Sequence, residues 1–211
     1  MSQNRDGPRI RYDEGCLAAH AMNVVGDRWA LLVVRELMLT PRRFQAIRQG
    51  LPGITATVLT QRLGQLIGGG VVAQDAGLYA LTKSGRGLMP VLQAMCRWGA
   101  LHPGHDPRRF ISPSALVISM TAMIRDARDR QATAAMQMGS DRFVLRLTGD
   151  GILRPSIDSH PADFTLSGTG NSVARAVYGP VPLADLADQG VIGLTGDSRA
   201  AQDFVDLFRL R

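Results

Sequence analysis

The sequence GITATVLTQRLGQLIGGG spans residues 53–70 and predicts a helix with a marked beginning and end. Thr55 can cap its N-terminus, because a threonine hydroxyl accepts a hydrogen bond from an unpaired amide of the first turn. The glycines at 68–70 predict its end, since glycine adopts the left-handed conformation of a helix C-terminus at no steric cost. Apolar side chains recur at helical spacing on one face: Leu59, Leu63, Leu66 and Ile67.

The opposite face of this helix is short, polar and free of carboxylates: Thr57, Gln61, Gly64 and Gln65. Such a face suits contact with base edges and phosphates in a DNA groove. An ordinary amphipathic surface helix shows the same pattern, so the neighbouring elements must distinguish the two interpretations.

Three helices are predicted upstream, over residues 14–26, 28–39 and 42–50. Asp13 and Asp27 are the predicted N-caps of the first two. Pro41 separates the second helix from the third, because the residue before a proline is pushed out of the α region. The arginines that begin the third helix would oppose its dipole, so we expect them to face an anion such as phosphate.

Two short strands are predicted downstream, within residues 71–82, with a turn at Asp75-Ala76-Gly77. Thr82 then caps a helix over residues 83–102, which Pro90 is expected to bend. One stripe of that helix is apolar: Leu88, Val91, Leu92, Met95 and Trp98. The helix within residues 53–70 is interpreted as the reading helix of a helix-turn-helix. A hairpin that directly follows such a motif forms a wing, so this half predicts a winged helix-turn-helix domain, mainly α with a small β-hairpin.

Charge is unevenly distributed along the chain. Residues 1–111 hold 14 Lys+Arg and 7 Asp+Glu, a net +7, whereas residues 112–211 hold 10 and 11, a net −1. A basic excess beside a helix-turn-helix favours duplex DNA as the partner over a merely basic surface. No run of about 18 apolar residues is present and the first residues are polar, which predicts a cytoplasmic protein that does not bind membranes.

Many residues of the basic half occur in a recognisable order: Cys16, Gly26-Asp27-Arg28-Trp29, Arg43-Phe44, Gly53-Ile54, Leu59-Thr60, Arg62-Leu63, Gly70-Val71-Val72, Tyr79-Ala80-Leu81-Thr82, Gly85, Leu88-Met89-Pro90-Val91-Leu92 and Trp98-Gly99. In this order they resemble the HxlR-type winged-helix regulators of bacteria, over about residues 13–100. The resemblance implies a homodimeric DNA-binding transcription factor whose first and last helices build the dimer interface.

The resemblance also assigns roles by position. Base contacts are expected from Thr55, Thr57, Gln61 and Arg62. Phosphate contacts are expected from Arg28, Arg42, Arg43 and Lys83. Subunit contacts are expected from Leu88, Leu92, Met95 and Trp98. For Arg62, a solvated helix charge remains the alternative. The wing is shorter than the family's and carries Asp75, so we expect sequence specificity to rest mainly on the helix.

Cys16 stands where some regulators of this family sense oxidants or electrophiles, and a helix N-terminus favours the reactive thiolate. Two cysteines, Cys16 and Cys96, cannot build a disulfide framework, so both are expected to be free thiols. The alternative to a redox role is that they are small apolar side chains packed between helices. His102 and His105 lack neighbouring ligands at metal-binding spacing, so they predict a linker, and no metal or cofactor is expected.

Residues 102–113 are rich in proline and charge and mark a predicted domain boundary. The expected division is a DNA-binding and dimerisation domain over 1–101, a linker over 102–113 and a second domain over 114–211. The second domain would begin with a helix over 114–128, opened by Ser112-Pro113. An antiparallel meander is predicted over 131–158, followed by a strand at 162–168, helices at 171–179 and 183–190, a strand at 191–196 and a helix at 197–208.

Strands and helices in separate runs predict an α+β domain with a mostly antiparallel sheet covered by helices. The residues that carry a second resemblance are Asp163-Phe164-Thr165-Leu166, Leu183-Ala184-Asp185-Leu186, Ile192, Gly196-Asp197, Phe204 and Leu207-Phe208. They are similar to the tail of sterol-carrier-protein type-2-like domains, which implies an apolar tunnel for a lipid-like ligand. Candidate lining residues are Leu116, Met120, Met123, Met136, Met138, Phe164, Phe204 and Phe208. The same side chains could equally form a packed core.

Ser156, Asp158 and His160 lie close in sequence, but nothing near them indicates an oxyanion donor. Catalysis is therefore not expected. The sequence therefore predicts a homodimeric regulator that binds an inverted-repeat operator, with a C-terminal domain that senses an apolar small molecule or stiffens the dimer. Two alternatives remain open. One is a lipid-carrier-like protein whose basic half binds an acidic membrane or partner, and the other is a redox-sensing regulator that acts through Cys16.

Overall fold

Two hydrophobic cores organise the part of the chain that the computed structural model describes, residues 11–208. The first core lies among α1 (Leu17–Val25), α2 (Ala30–Leu37), β1 (Arg42–Arg43), α3 (Phe44–Gln49), α4 (Ala56–Gly68), β2 (Val72–Asp75), β3 (Leu78–Leu81), α5 (Lys83–Arg86) and α6 (Met89–Leu101). The second core lies among α7 (Pro113–Met123), β4 (Ala132–Met138), β5 (Asp141–Leu147), β6 (Leu153–Ser156), β7 (Phe164–Gly168), α8 (Gly170–Tyr178), α9 (Leu183–Asp188), β8 (Gly193–Gly196) and α10 (Ser198–Val205).

Helix α4 has the predicted beginning and end. The Thr55 hydroxyl accepts a hydrogen bond from the Val58 amide at 3.3 Å. Gly69 is the C-cap, and Gly70 follows with φ +69°, the left-handed conformation that glycine tolerates. The three leucines of the predicted apolar face are buried, whereas Ile67 at the end of the helix is 37% exposed. Burial of one face fixes α4 with its polar face outward.

The wing contains one more strand than the hairpin that the sequence predicts. Strands β2 and β3 are antiparallel and joined by Ala76 and Gly77, both with positive φ. Strand β1 pairs with β3 through Arg42 and Arg43. The prediction that these arginines begin a helix is therefore wrong, because the chain after Pro41 is extended and α3 begins only at Phe44. Arg43 is instead the N-cap residue of α3, and its side chain makes no capping hydrogen bond.

Two predicted N-termini and one predicted long helix also differ from the structure. Helix α1 begins after Cys16, so Asp13 does not cap it. The Asp27 carboxylate accepts a hydrogen bond from the Trp29 amide at 2.9 Å, but a turn follows and α2 begins at Ala30. The helix predicted over 83–102 is two helices, α5 and α6. Pro90 lies in the first turn of α6, where proline fits without bending a helix.

The second core surrounds a five-stranded sheet with the strand order β6-β5-β4-β7-β8. Strands β4, β5 and β6 form the predicted antiparallel meander. Strand β7 instead pairs with β4 in parallel, because the chain leaves β6 at one edge and re-enters the sheet on the far side of β4. The helices accompany this mixed sheet as an α+β unit.

The two cores meet along α7, which packs against α2 and α6. Ile118 of α7 belongs to the first core, and Leu39, just after α2, packs against both. The segment 102–112, where a domain boundary is predicted, joins α6 to α7 and is held by Asn171 of α8, whose side-chain amide donates to the Arg109 carbonyl at 2.7 Å. Within residues 11–208, no helix combines the length and apolar composition that a bilayer crossing requires.

Candidate nucleic-acid interface

The N-terminal part of α4 presents the candidate base-contacting residues. Thr55 and Thr57 are exposed, and Gln61 is half-buried one turn further along the same helix. The chain from 37 to 74, which holds β1, α3 and α4, contains four arginines and no carboxylate. The surface around α4 is therefore compatible with an anionic partner.

The side chain of Arg62, the fourth predicted base contact, is held by Asp27 and Gln65 of this chain. Its Nε lies 2.8 Å from an Asp27 carboxylate oxygen, and its side chain is only 16% exposed. Nη1 of the same guanidinium donates to the Gln65 side chain. The ion pair ties α4 to the turn between α1 and α2, so Arg62 holds α4 in place and does not extend outward with the two threonines.

The adjacent arginines of β1 point in opposite directions, as successive side chains of a strand do. Arg42 is 10% exposed and donates from Nη2 to Asp141 at 3.1 Å and to the Ser114 hydroxyl at 3.0 Å. Arg43 is exposed and reaches the Ala76 carbonyl in the wing turn at 3.5 Å. Of the two, only Arg43 lies where a phosphate can reach it.

Three further cations lie on the surface of the same unit. The Arg28 guanidinium carbon lies 5.3 Å from the centre of the Trp29 ring, a cation–π arrangement that leaves the side chain exposed. Lys83 is the exposed first residue of α5, directly after the wing. Arg48 of α3 is exposed as well and was assigned no role from the sequence.

A polar cluster joins the N-terminal unit, built around the first core, to the C-terminal unit, built around the second. We call it the junction cluster: Arg35, Glu36, Arg42, Ser112, Ser114 and Asp141. Glu36 is 1% exposed and accepts hydrogen bonds from the Ser112 hydroxyl at 2.6 Å and from Arg35 Nε at 2.9 Å. Arg42 Nε donates to the Glu36 backbone carbonyl at 2.9 Å. Burial raises the pKa of the Glu36 carboxyl, against the opposing effects of Arg35, Ser112 and Arg42.

No pattern in the sequence indicates this cluster. Glu36 follows an arginine near the end of an amphipathic helix, where a charged residue ordinarily faces solvent. Its surroundings are also tight, since a side chain on Gly50 would collide with its carboxylate. The close approach of the Gly50 backbone, together with α7, removes Glu36 from water.

The predicted dimer contacts divide between core and surface. Leu92 is buried in the first core, and Leu88 is half-buried against it. Met95 is 47% exposed and Trp98 is 67% exposed. Helices α1 and α6 together expose a set of large apolar side chains, which we call the α1–α6 patch: Leu17, Met22, Val91, Met95, Trp98 and Leu101.

The remaining predicted site residues lie in two kinds of surroundings. Cys16 is exposed at the N-cap of α1, whereas Cys96 is half-buried in α6, where burial raises the pKa of its thiol. The eight candidate lining residues of the C-terminal domain are all buried, and all but Met123 belong to the second core. Among residues 11–208, no three His, Cys, Asp or Glu side chains are grouped as a metal site would need.

The family model described as HxlR-like helix-turn-helix matches residues 24–106. An uncharacterized HTH-type transcriptional regulator of Methanothermobacter thermautotrophicus is 31% identical over 98 residues, which cover 43% of this chain and 75% of that protein. The reduced form of the transcriptional regulator YodB from B. subtilis is 29% identical and covers 44% of this chain and 100% of that one, with a TM-score of 0.39. A UbiJ-SCP2 ubiquinone synthesis protein is 18% identical and covers 36% of this chain and 64% of that one, with a TM-score of 0.32.

Proposed function

The chain belongs, through its N-terminal half, to the HxlR-like helix-turn-helix family of transcriptional regulators, and on that premise we propose that two copies of it bind an inverted-repeat operator. The observation that carries this proposal is the outward polar face of α4, which lies in a stretch without carboxylates and has Arg43 exposed beside the wing. As a regulator it would act in the cytoplasm.

In this arrangement α4 enters the major groove, where Thr55, Thr57 and Gln61 meet base edges. Arg28, Arg43 and Lys83 contact phosphates on either side. Arg42 and Arg62 are left out of the contact set, because both guanidiniums are held by carboxylates of this chain. Two copies related by a two-fold axis would place their α4 helices about 10 base pairs apart, or a multiple of that spacing.

Arg43→Gln tests the phosphate contacts. We expect it to weaken binding to every DNA sequence and to make the dependence of log K on log salt concentration shallower by about one unit per bound subunit, because one counterion fewer is released. Titrations of labelled duplex at several salt concentrations measure the slope. Arg199→Gln removes the same charge from an exposed position of α10 and should leave the salt dependence unchanged. A normal slope for Arg43→Gln would exclude this residue from the phosphate contacts.

Gln61→Ala tests the base contacts. We expect it to reduce discrimination at one operator position by about 5- to 100-fold, the range for loss of one good base-edge contact, with random DNA bound as before. Selection of bound sequences from a randomised pool identifies the position. Gln189→Ala, on an exposed residue after α9, is the matched control. An equal loss on selected and random DNA would contradict the assignment.

For the C-terminal unit we propose a role in controlling the DNA-binding unit, through the junction cluster and the shared packing of α7. All of the predicted tunnel residues except Met123 belong to one packed core, which favours a structural role over a lipid-carrying one. A redox role would rest on the exposed Cys16 alone, and Cys96 is half-buried, so we do not propose one.

A further inference from the structure

A cleft of about 430 Å³ lies where the two units meet. The DNA-binding unit contributes Arg86 of α5 and Met89 and Gln93 of α6 to its walls. The C-terminal unit contributes Thr121 of α7 and Leu153 and Pro155 of β6, the edge strand of the sheet. A volume of this size falls within the range of small-molecule sites, about 300–1,000 Å³.

Both units line the cleft with apolar side chains, and Gln93 and Thr121 add polar ones. Met89 faces it from one unit, and Leu153 and Pro155 face it from the other. Between them, the Gln93 side-chain amide donates to the Thr121 hydroxyl at 3.0 Å, which joins α6 to α7. An occupant with an apolar body would therefore contact both units at once and bury surface against each.

The charges around the cleft specify what the polar end of that occupant should be. Arg154 is already neutralised, because its Nη2 lies 2.6 Å from an Asp150 carboxylate oxygen. Arg86 donates from Nη1 to the Leu81 backbone carbonyl at 2.7 Å, and across residues 11–208 no carboxylate pairs with it. The cleft thus has one uncompensated guanidinium beside apolar surface, a combination that favours a carboxylate with an apolar tail.

We propose that this cleft binds a small organic acid, with its carboxylate on Arg86 and its apolar body between Met89 and Leu153. The effect of this acid on operator binding rests on the proposed function. Arg86 lies in α5, directly after wing strand β3, whereas Leu153 belongs to the C-terminal sheet. An acid held between them ties the position of the wing to the position of that sheet. It alters operator affinity if it binds one arrangement of the two units more tightly than another.

The direct test is calorimetric titration of the 211-residue protein, without DNA, with octanoate, benzoate and 1-naphthoate. We expect at least one acid to bind once per subunit and at least about tenfold more tightly than its neutral amide, because the amide has no negative charge to pair with the Arg86 guanidinium. Arg86→Gln should remove this preference for the acid. Arg199→Gln loses the same charge at an exposed position of α10 and should retain the preference for the acid.

Two results would overturn the assignment: none of the three acids binding more tightly than its amide, or the preference persisting in Arg86→Gln. Operator binding with and without a saturating concentration of the acid is a separate readout. Uptake of the acid through Arg86 by a protein that prefers no DNA sequence would contradict the proposed function and leave the cleft assignment standing. Operator binding by a protein that takes up no acid would overturn the cleft assignment alone.

Discussion

Trp98→Glu is expected to raise the dissociation constant of the dimer about 100-fold or more and to weaken operator binding in parallel. Trp98 is 67% exposed in the α1–α6 patch, next to Leu101 at 74%. Val91, Met95 and Trp98 recur at i, i+4 and i+7 in α6, so they share one face of that helix. Folded monomers rarely leave an apolar face of this kind open to water, so we expect a second copy to cover it. Truncation of a central tryptophan in an interface commonly costs 2 kcal/mol or more, and a buried carboxylate adds to that loss.

Sedimentation velocity across a concentration series measures the dissociation constant of the proposed dimer, and titration of an operator duplex measures DNA binding. Ile157→Glu is the matched control, because Ile157 is 52% exposed after β6, outside the α1–α6 patch. It should dimerise and bind DNA as the unaltered protein does. A Trp98→Glu protein that stays dimeric at the same concentrations would show that the α1–α6 patch is not the subunit interface.

The elements that the sequence predicted correctly are those whose signals lie within the element. Helix α4 is fixed by a threonine at its start, glycines at its end and leucines at helical spacing, all within residues 53–70. The wing turn is fixed by neighbouring residues in the same way. The error at β1 has a non-local cause, because this strand forms where Arg42 and Arg43 find a partner in β3. The sheet is mostly antiparallel as predicted, and its one parallel pairing, between β7 and β4, is non-local as well.

The candidate site shows the same division. Thr55, Thr57 and Arg43 are exposed as a winged helix with this sequence pattern should expose them. Arg42 and Arg62 are not, because their environments depend on Asp141, 99 residues from Arg42, and on Asp27 across a packed turn. Sequence spacing can place an arginine on a helix or strand. It cannot show that a carboxylate from another element neutralises it.

Glu36→Ala is expected to lower the free energy of unfolding at pH 7 by about 1–3 kcal/mol, the cost of leaving a buried hydrogen-bond partner unsatisfied. The Ser112 hydroxyl, 1% exposed, would lose its acceptor, and Arg35 would lose the carboxylate at 2.8 Å. Glu36→Gln keeps an oxygen that can accept both hydrogen bonds, so we expect a clearly smaller loss. Urea unfolding of both variants beside the unaltered protein measures the difference. Equal losses for alanine and glutamine would show that hydrogen bonding to residue 36 adds nothing.

The pH dependence of the same proteins isolates the carboxyl group itself. Burial raises the pKa of Glu36 in the folded protein above its ordinary value of 4.5, so the folded state holds this proton more tightly than the unfolded state. The stability that this difference contributes is complete below about pH 4.5 and is lost as the pH rises through the folded pKa, at no more than about 1.4 kcal/mol per pH unit. Relative to Glu36→Gln, the unaltered protein should therefore become less stable as the pH rises through this window. A stability difference that stays constant with pH would mean that Glu36 keeps an ordinary pKa, with the effect of burial offset by Arg35, Ser112 and Arg42.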